Sequence, residues 1–464
     1  MDGISANARA LAVCLMVAIA GCNANGGVPG AGALPVPNAG RPAALLGSNR
    51  QPASGKISHV VIIMQENRSF DNLFAGYPGA DTQSYGYTAN GTKVTLQPVS
   101  MGAPWDVGHN SVSFYAACDG QGSLPGTACK MDGFNREVVT CGGRGQTPCP
   151  NPNPQYAFVP HSETKPYFAM AQQYVLGDNM FPSDFDASSF VSHQYIIAGQ
   201  AGSTINYPAT TWGCDGGPKD TVPTVTLQRG YGARIQACFN YQTLGDELDS
   251  AGISWGYYTS SLEDGSGNLW NAYQAIKRIR YGPDWDADDI SPQTRFLSDV
   301  KNGKLRAVSW ITPTCRNSDH ASCGATHGPH WVASIVNAVG NSKYWDSTAI
   351  FVMWDEYGGW YDHVPPPLAD YDGLGIRVPL LVISAYAKKG YVSHVQYEHG
   401  SILKFVEDQF GLSRLAASDA RATSPAGDCF DFTQPPRAFV PIPAVLNAAY
   451  FERESADLRV PDNN

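Results

Sequence analysis

Two polar pairs in this chain, one of them wholly acidic, stand directly behind apolar runs of strand length. Residues 59–64 (HVVIIM) lead into Gln65, Glu66 and Asn67, and Thr348–Trp354 (TAIFVMW) lead straight into Asp355 and Glu356. A third run, residues 305–311 (LRAVSWI), is followed a few positions on by Asn317, Ser318, Asp319 and His320. In open α/β sheets ligands bind beyond the carboxyl ends of the strands, so clusters this far apart in sequence can converge on one crevice. Glu66, Asp355 and Glu356 would then share a site, and three like charges do not stay ionised together without a compensating cation. A divalent metal ion would supply that charge. Carboxylate, amide and hydroxyl oxygens are hard ligands that suit Ca, Mg or Mn, with Zn left open. Such an ion polarises a phosphoryl oxygen and acidifies a bound serine hydroxyl, which turns a weak nucleophile into a strong one. No nucleotide cofactor is implied.

The elements that must position these residues are legible as apolar, β-branched runs: residues 59–64, 253–259, 305–311, Thr348–Trp354 and Val378–Ser384. Continuous rather than alternating hydrophobicity points to strands buried on both faces. Helix candidates at residues 166–175, 331–339 and 401–410 alternate with them, the pattern of a three-layer α/β/α sandwich with a mostly parallel central sheet. The 48 Gly and 33 Pro imply many turns and long loops. A formal charge of -10, with only 31 Lys and Arg and no basic run, leaves no footprint for nucleic acid.

The amino terminus reads as an export signal: Arg9 precedes an apolar stretch that ends in Ile19, Ala20, Gly21 and Cys22. Small residues before a cysteine resemble the lipobox of bacterial lipoproteins, which implies cleavage after residue 21 and lipidation of Cys22. That would anchor the chain to a membrane, facing the periplasm or at the outer membrane; a plain secretory peptide is the alternative. Residues 22–55, rich in Gly, Ala, Pro and Asn, suit a flexible tether, and residues 56–455 a single catalytic domain. Nine cysteines follow Cys22, mostly in close pairs, and proximity predicts disulfides Cys118–Cys129, Cys141–Cys149, Cys214–Cys238 and Cys315–Cys323, with Cys429 left over.

The segments HVVIIMQENRSFDNLFAGYPG, WDEYGGWYDHVPPP and YEHGSILKFVEDQFGL, with Asp319-His320 after a strand, together resemble the bacterial phosphoesterase family of phospholipases C and related acid phosphatases. The likeness runs over about residues 57–413. It implies an alkaline-phosphatase-like fold, one active-site metal and a Ser or Thr nucleophile that forms a phosphoenzyme. Carried over by motif, the metal ligands are Glu66, Asn67, Asp355 and Glu356 together with the nucleophile. His109, upstream of Met131-Asp132-Gly133-Phe134, would protonate the leaving alkoxide or contact phosphoryl oxygens, and Asp319-His320 matches the catalytic pair that accompanies it. His327 and His330 are weaker candidates, and His363 is as well suited to bracing its loop. The family usually reads Gly-Pro-Thr-x-Pro-Asn-His at the nucleophile, whereas this chain has Ala187-Ser188-Ser189-Phe190-Val191-Ser192-His193. Aligning His193 puts Ser189 at that position, with Ser188 next.

Two other classes remain for comparison. Gly252-Ile253-Ser254-Trp255-Gly256 matches the G-x-S-x-G of serine carboxylesterases, but a nucleophile elbow needs a strand before the serine and a helix after it, the reverse of the order expected here. A phosphate-ester-binding lipoprotein without turnover is the other. Within the enzymes, a phosphomonoester and a phospholipid are both possible substrates; the chain's length beyond its last family motif, about fifty residues, favours a compact phosphatase. Oligomeric state is not legible.

Overall fold

The computed structural model describes residues 55–142 and 147–461. The leader, Cys22 and all but the last residue of the 22–55 tether lie outside the described residues.

The predicted apolar runs form the centre of a nine-stranded sheet. In chain order its strands are β1 (His59–Gln65), β2 (Val175–Phe181), β3 (Trp255–Tyr258), β4 (Asp289–Ile290), β5 (Val308–Ile311), β6 (Thr348–Trp354), β7 (Val378–Ser384), β8 (Tyr391–Ser393) and β9 (Tyr397–Glu398). They are ordered β4-β3-β5-β1-β6-β7-β2-β8, with β9 also on β2. The central β1 pairs in parallel with β5 and β6, placing Ile62 opposite Trp310 and Phe351. Only β7 runs antiparallel to its neighbours. Every residue of β6 and β7 is buried, as expected of strands covered on both faces.

Five helices cover the sheet: α1 (His161–Gln173), α2 (Ser189–Ala198), α3 (Leu244–Ala251), α4 (Gly328–Gly340) and α5 (His399–Phe410). Helices α1 and α4 pack on each other in one layer, and α2 packs on α3 and α5 in the other. The chain therefore has the α/β/α architecture with a mostly parallel sheet.

One element differs from expectation. The helix predicted at 166–175 ends at Gln173, and Val175 opens β2 instead. Gly177, Asp178 and Asn179 interrupt the apolar pattern of β2 and conceal it in the sequence. Burial against β7 and β8 outweighs that local preference. The consequence is direct, because β1, β2, β5 and β6 all release their following loops at one edge of the sheet.

Ser254 lies at the opposite edge. Helix α3 precedes it and β3 follows, and its Oγ accepts the backbone N–H of Ala307 at 3.1 Å, so it occupies no nucleophile elbow. All four predicted disulfides are present and Cys429 is a buried free thiol. Four bridges mark a chain that folds in an oxidising, extracytoplasmic compartment. Among the described residues no helix is long and apolar enough to cross a membrane.

Candidate active site

Four strand-end loops meet in one buried cluster. After β1 the chain turns sharply at Asn67, whose φ of +60° lies in the left-handed region that asparagine tolerates better than most residues. The turn lets the Asn67 N–H donate to Asp355 Oδ1 at 3.0 Å, which fastens the loop after β1 to the loop after β6. Glu356 accepts the Gly358 N–H at 2.7 Å, and its other oxygen accepts from Asn67 Nδ2. Gly358 has a φ of +66°, and a Cβ there would sit 2.2 Å from the Asn67 carbonyl oxygen. Gly358→Ala is therefore expected to cost about 2–3 kcal/mol and to lower activity sharply, because its clash pushes apart the two loops that carry Asn67 and Glu356. A melting curve beside a turnover assay checks it.

From β2 the chain reaches the amino end of α2 through Ala187, which holds a left-handed φ of +39°. That conformation favours glycine, the residue the family usually places there. Ser189, the first residue of α2, directs its Oγ–H to Glu66 Oε2 at 3.4 Å and receives Asn67 Nδ2 at 3.5 Å. Ser188 is engaged elsewhere: its hydroxyl donates to Asp186 at 2.7 Å. The helix amino terminus also directs partial positive charge toward the cluster.

His109 and His320 adjoin this cluster. His109 Nε2 lies 3.9 Å from Glu356 Oε1, and the two imidazoles meet edge to face at 5.6 Å between centroids. The Val107 carbonyl, 2.7 Å from His109 Nδ1, assigns the proton to that nitrogen. Asp319 lies in the same loop as His320, but its carboxylate accepts from Tyr167 of α1 at 2.8 Å and Trp354 of β6 at 3.0 Å, an anchoring arrangement. Burial pushes its pKa up to about 7. The three weaker candidates lie apart from the cluster. His327 faces Glu454 at 3.6 Å, His330 accepts the Val445 N–H at 3.3 Å, and His363 bridges Asp71 at 2.6 Å and Asp81 at 3.1 Å.

Two participants were not singled out from the sequence. His193 Nε2 lies 2.9 Å from Glu66 Oε1 and 3.7 Å from Asp355 Oδ2, and Asp106 forms a second group with His109 and His320. The signal for His193 was present: it follows Ser189 by four residues, and on a helix that spacing puts both side chains on one face. Asp106 carried none.

Among the described residues no Lys or Arg forms an ion pair with Glu66, Asp355 or Glu356, whose basic neighbours are His193 and His109. Glu66, Asp355 and Glu356 are fully buried. Burial raises Glu66 to about 8, while burial and then the charge of a neighbouring carboxylate push Asp355 and Glu356 well above the ordinary range. Burial also lowers the pKa of His193. Asn67 Oδ1 is buried without a hydrogen-bond partner. An orphaned amide oxygen beside three carboxylates and a hydroxyl is a donor set that fits a divalent cation.

Comparison with known proteins finds relatives by sequence. A non-hemolytic phospholipase C of Burkholderia pseudomallei is 27% identical over 453 aligned residues, covering 83% of this chain and 60% of that protein. Phospholipase C B of Mycobacterium tuberculosis is 26% identical over 443 residues, covering 83% and 80% respectively. A protein of the alkaline phosphatase superfamily from Vibrio parahaemolyticus is a distant structural neighbour, with a TM-score of 0.36 and 12% identity over 80% of this chain and 72% of that one. The model of the phosphoesterase family matches residues 57–413. By that match over most of its length, the chain belongs to the phosphoesterase family, and so to the hydrolases of phosphoric esters.

Proposed function

We propose that this protein is a metal-dependent phosphodiesterase of the phospholipase C type, acting through a phosphoserine at Ser189. The observation that carries the reading is the position of Ser189 Oγ, within reach of both Glu66 Oε2 and Asn67 Nδ2 in a buried cluster of three carboxylates. Glu66, Asn67, Asp355, Glu356 and Ser189 would hold one divalent ion, either Ca, Mg, Mn or Zn. When bound, the ion offsets the carboxylate charge, polarises the phosphoryl group and favours the serine alkoxide.

The chain's own residues supply the rest. Ser189 Oγ attacks phosphorus, and its proton leaves toward Glu66 Oε2, the acceptor it already faces. The bond to the alcohol breaks, and an imidazolium at His109 or His320 gives the departing alkoxide its proton. The Asn67 amide and the amino end of α2 stabilise the charge on the phosphoryl oxygens. Water then hydrolyses the serine ester, which still carries the second alcohol, releasing the phosphomonoester and restoring the hydroxyl. Asp319 keeps the His320 loop in place through Tyr167 and Trp354.

The choice of a diester rests on the relatives, whose names specify phospholipase C. The chain spans 60% of the length of the Burkholderia relative. At the amino terminus the same reading includes export and lipidation at Cys22, which would hold the enzyme beside phospholipid. The test compares release of nitrophenol from p-nitrophenyl phosphorylcholine and p-nitrophenyl phosphate. A preference for the diester of about tenfold or more in kcat/KM is expected, equivalent to about 1.4 kcal/mol in the barrier. The opposite preference would make the protein a phosphatase. Turnover of neither, at any pH or with any added divalent metal, would leave a binding lipoprotein.

A further inference from the structure

We infer that His193 is a nitrogen ligand of the cation held by Glu66 and Asp355, and that it biases the site toward a transition-type ion such as Zn over Ca. The inference rests on the metal-binding reading above and concerns a residue to which neither the family motif nor the sequence reading assigned a role.

The orientation of the ring is the first observation. His193 Nδ1 lies 2.9 Å from the carbonyl oxygen of Trp270, which can only accept, so Nδ1 carries a proton. In the neutral ring Nε2 then presents its lone pair, and it points at two carboxylates, 2.9 Å from Glu66 Oε1 and 3.7 Å from Asp355 Oδ2. A lone pair facing carboxylate oxygens at that range is repulsive unless a proton or a metal ion lies between them. The rival to a metal is therefore a proton, carried either by the Glu66 carboxyl or by Nε2, in a purely structural contact.

Spacing is the second observation. Donor atoms bound to one ion at about 2.0–2.2 Å stand roughly 3–3.5 Å from one another. Glu66 to His193 at 2.9 Å, Ser189 to Glu66 at 3.4 Å and Asp355 to His193 at 3.7 Å are close to that pattern. The ligand atoms of Glu66, His193 and Asp355 all lie within 4.8 Å of one another. The hydrogen bond to Trp270 is the third. A metal-bound histidine ordinarily donates its other ring N–H to a carbonyl or carboxylate, which fixes the tautomer and the ring plane. His193 already has that arrangement, on a helix that also carries Ser189 one turn earlier.

An imidazole in the set changes selectivity. Ca and Mg take oxygen ligands, whereas imidazole suits Zn and other late first-row ions. Titration calorimetry of the full-length, metal-stripped protein with zinc and with calcium reads this directly. Zinc is expected to bind at least about a hundredfold tighter than calcium, and His193→Gln to lose about tenfold or more of its zinc affinity while calcium affinity changes by less than about threefold. Unchanged zinc affinity in a folded His193→Gln protein would overturn the inference and leave the metal-dependent enzyme standing. If the variant does not fold, the wild type decides: equal affinity for the two ions overturns the inference, and a hundredfold preference for zinc upholds it. Binding of neither ion would overturn both this inference and the metal reading beneath it.

Discussion

Ser189→Ala is expected to lower kcat on p-nitrophenyl phosphorylcholine by about four orders of magnitude while leaving Tm within about 2 °C of the wild type. The loss is large because no other described hydroxyl is bonded to both Glu66 and Asn67. The fold is spared because the Ser189 hydroxyl caps nothing, and the helix enters through Ser188 instead. Ser188→Ala is the informative contrast. It removes the donor to Asp186, a carboxyl that burial raises to about 7, and should cost about 1 kcal/mol of stability with kcat within about threefold. A chain that loses turnover through Ser188 and keeps it without Ser189 would reassign the nucleophile. Phosphorylcholine trapped on Ser189 after an acid quench would locate the covalent step independently.

Chelation should be the second large effect. Stripping divalent ions is expected to abolish turnover and lower Tm by about 3 °C, since a ligand at a hundredfold excess over Kd contributes about 2.7 kcal/mol to the folded state. Restored ions should restore both. The sign of the pH dependence follows from Glu66, which burial shifts from an ordinary value near 4.5 to about 8. With the cation gone, the folded chain binds more protons than the unfolded chain between those values, so apo stability falls as pH rises through that window. The stripped protein should therefore melt lower at pH 8 than at pH 6, and the loaded protein should show a smaller difference. Chelator-resistant turnover with an unchanged melting curve would sink the metal-dependent mechanism.

The strongest elements and the acidic half of the candidate site are legible in the amino-acid sequence. Strands β6 and β7 have the predicted bounds, because a run of apolar, largely β-branched residues as long as a strand has little alternative to a buried one. Glu66, Asn67, Asp355 and Glu356 were legible for the same reason: each pair sits directly behind such a run, and parallel strands deliver their ends to one edge. The proximity of paired cysteines likewise anticipated the four bridges.

Only the tertiary structure decided the rest. Strand β2 carries Gly177, Asp178 and Asn179 and becomes a strand through its neighbours, yet it leads to Ser189. The choice between Ser188 and Ser189 depends on which hydroxyl faces Glu66, and that follows from the left-handed turn at Ala187 and the start of α2. Asp319 and His320 are adjacent in sequence but part company in space, one tied to Tyr167 and Trp354 and the other meeting His109. His193 acquires meaning only when β1 and β6 bring Glu66 and Asp355 to its ring. Periodicity reports which residues are buried, but a site is made by which side chains face one another, and that depends on contacts between segments remote in the chain.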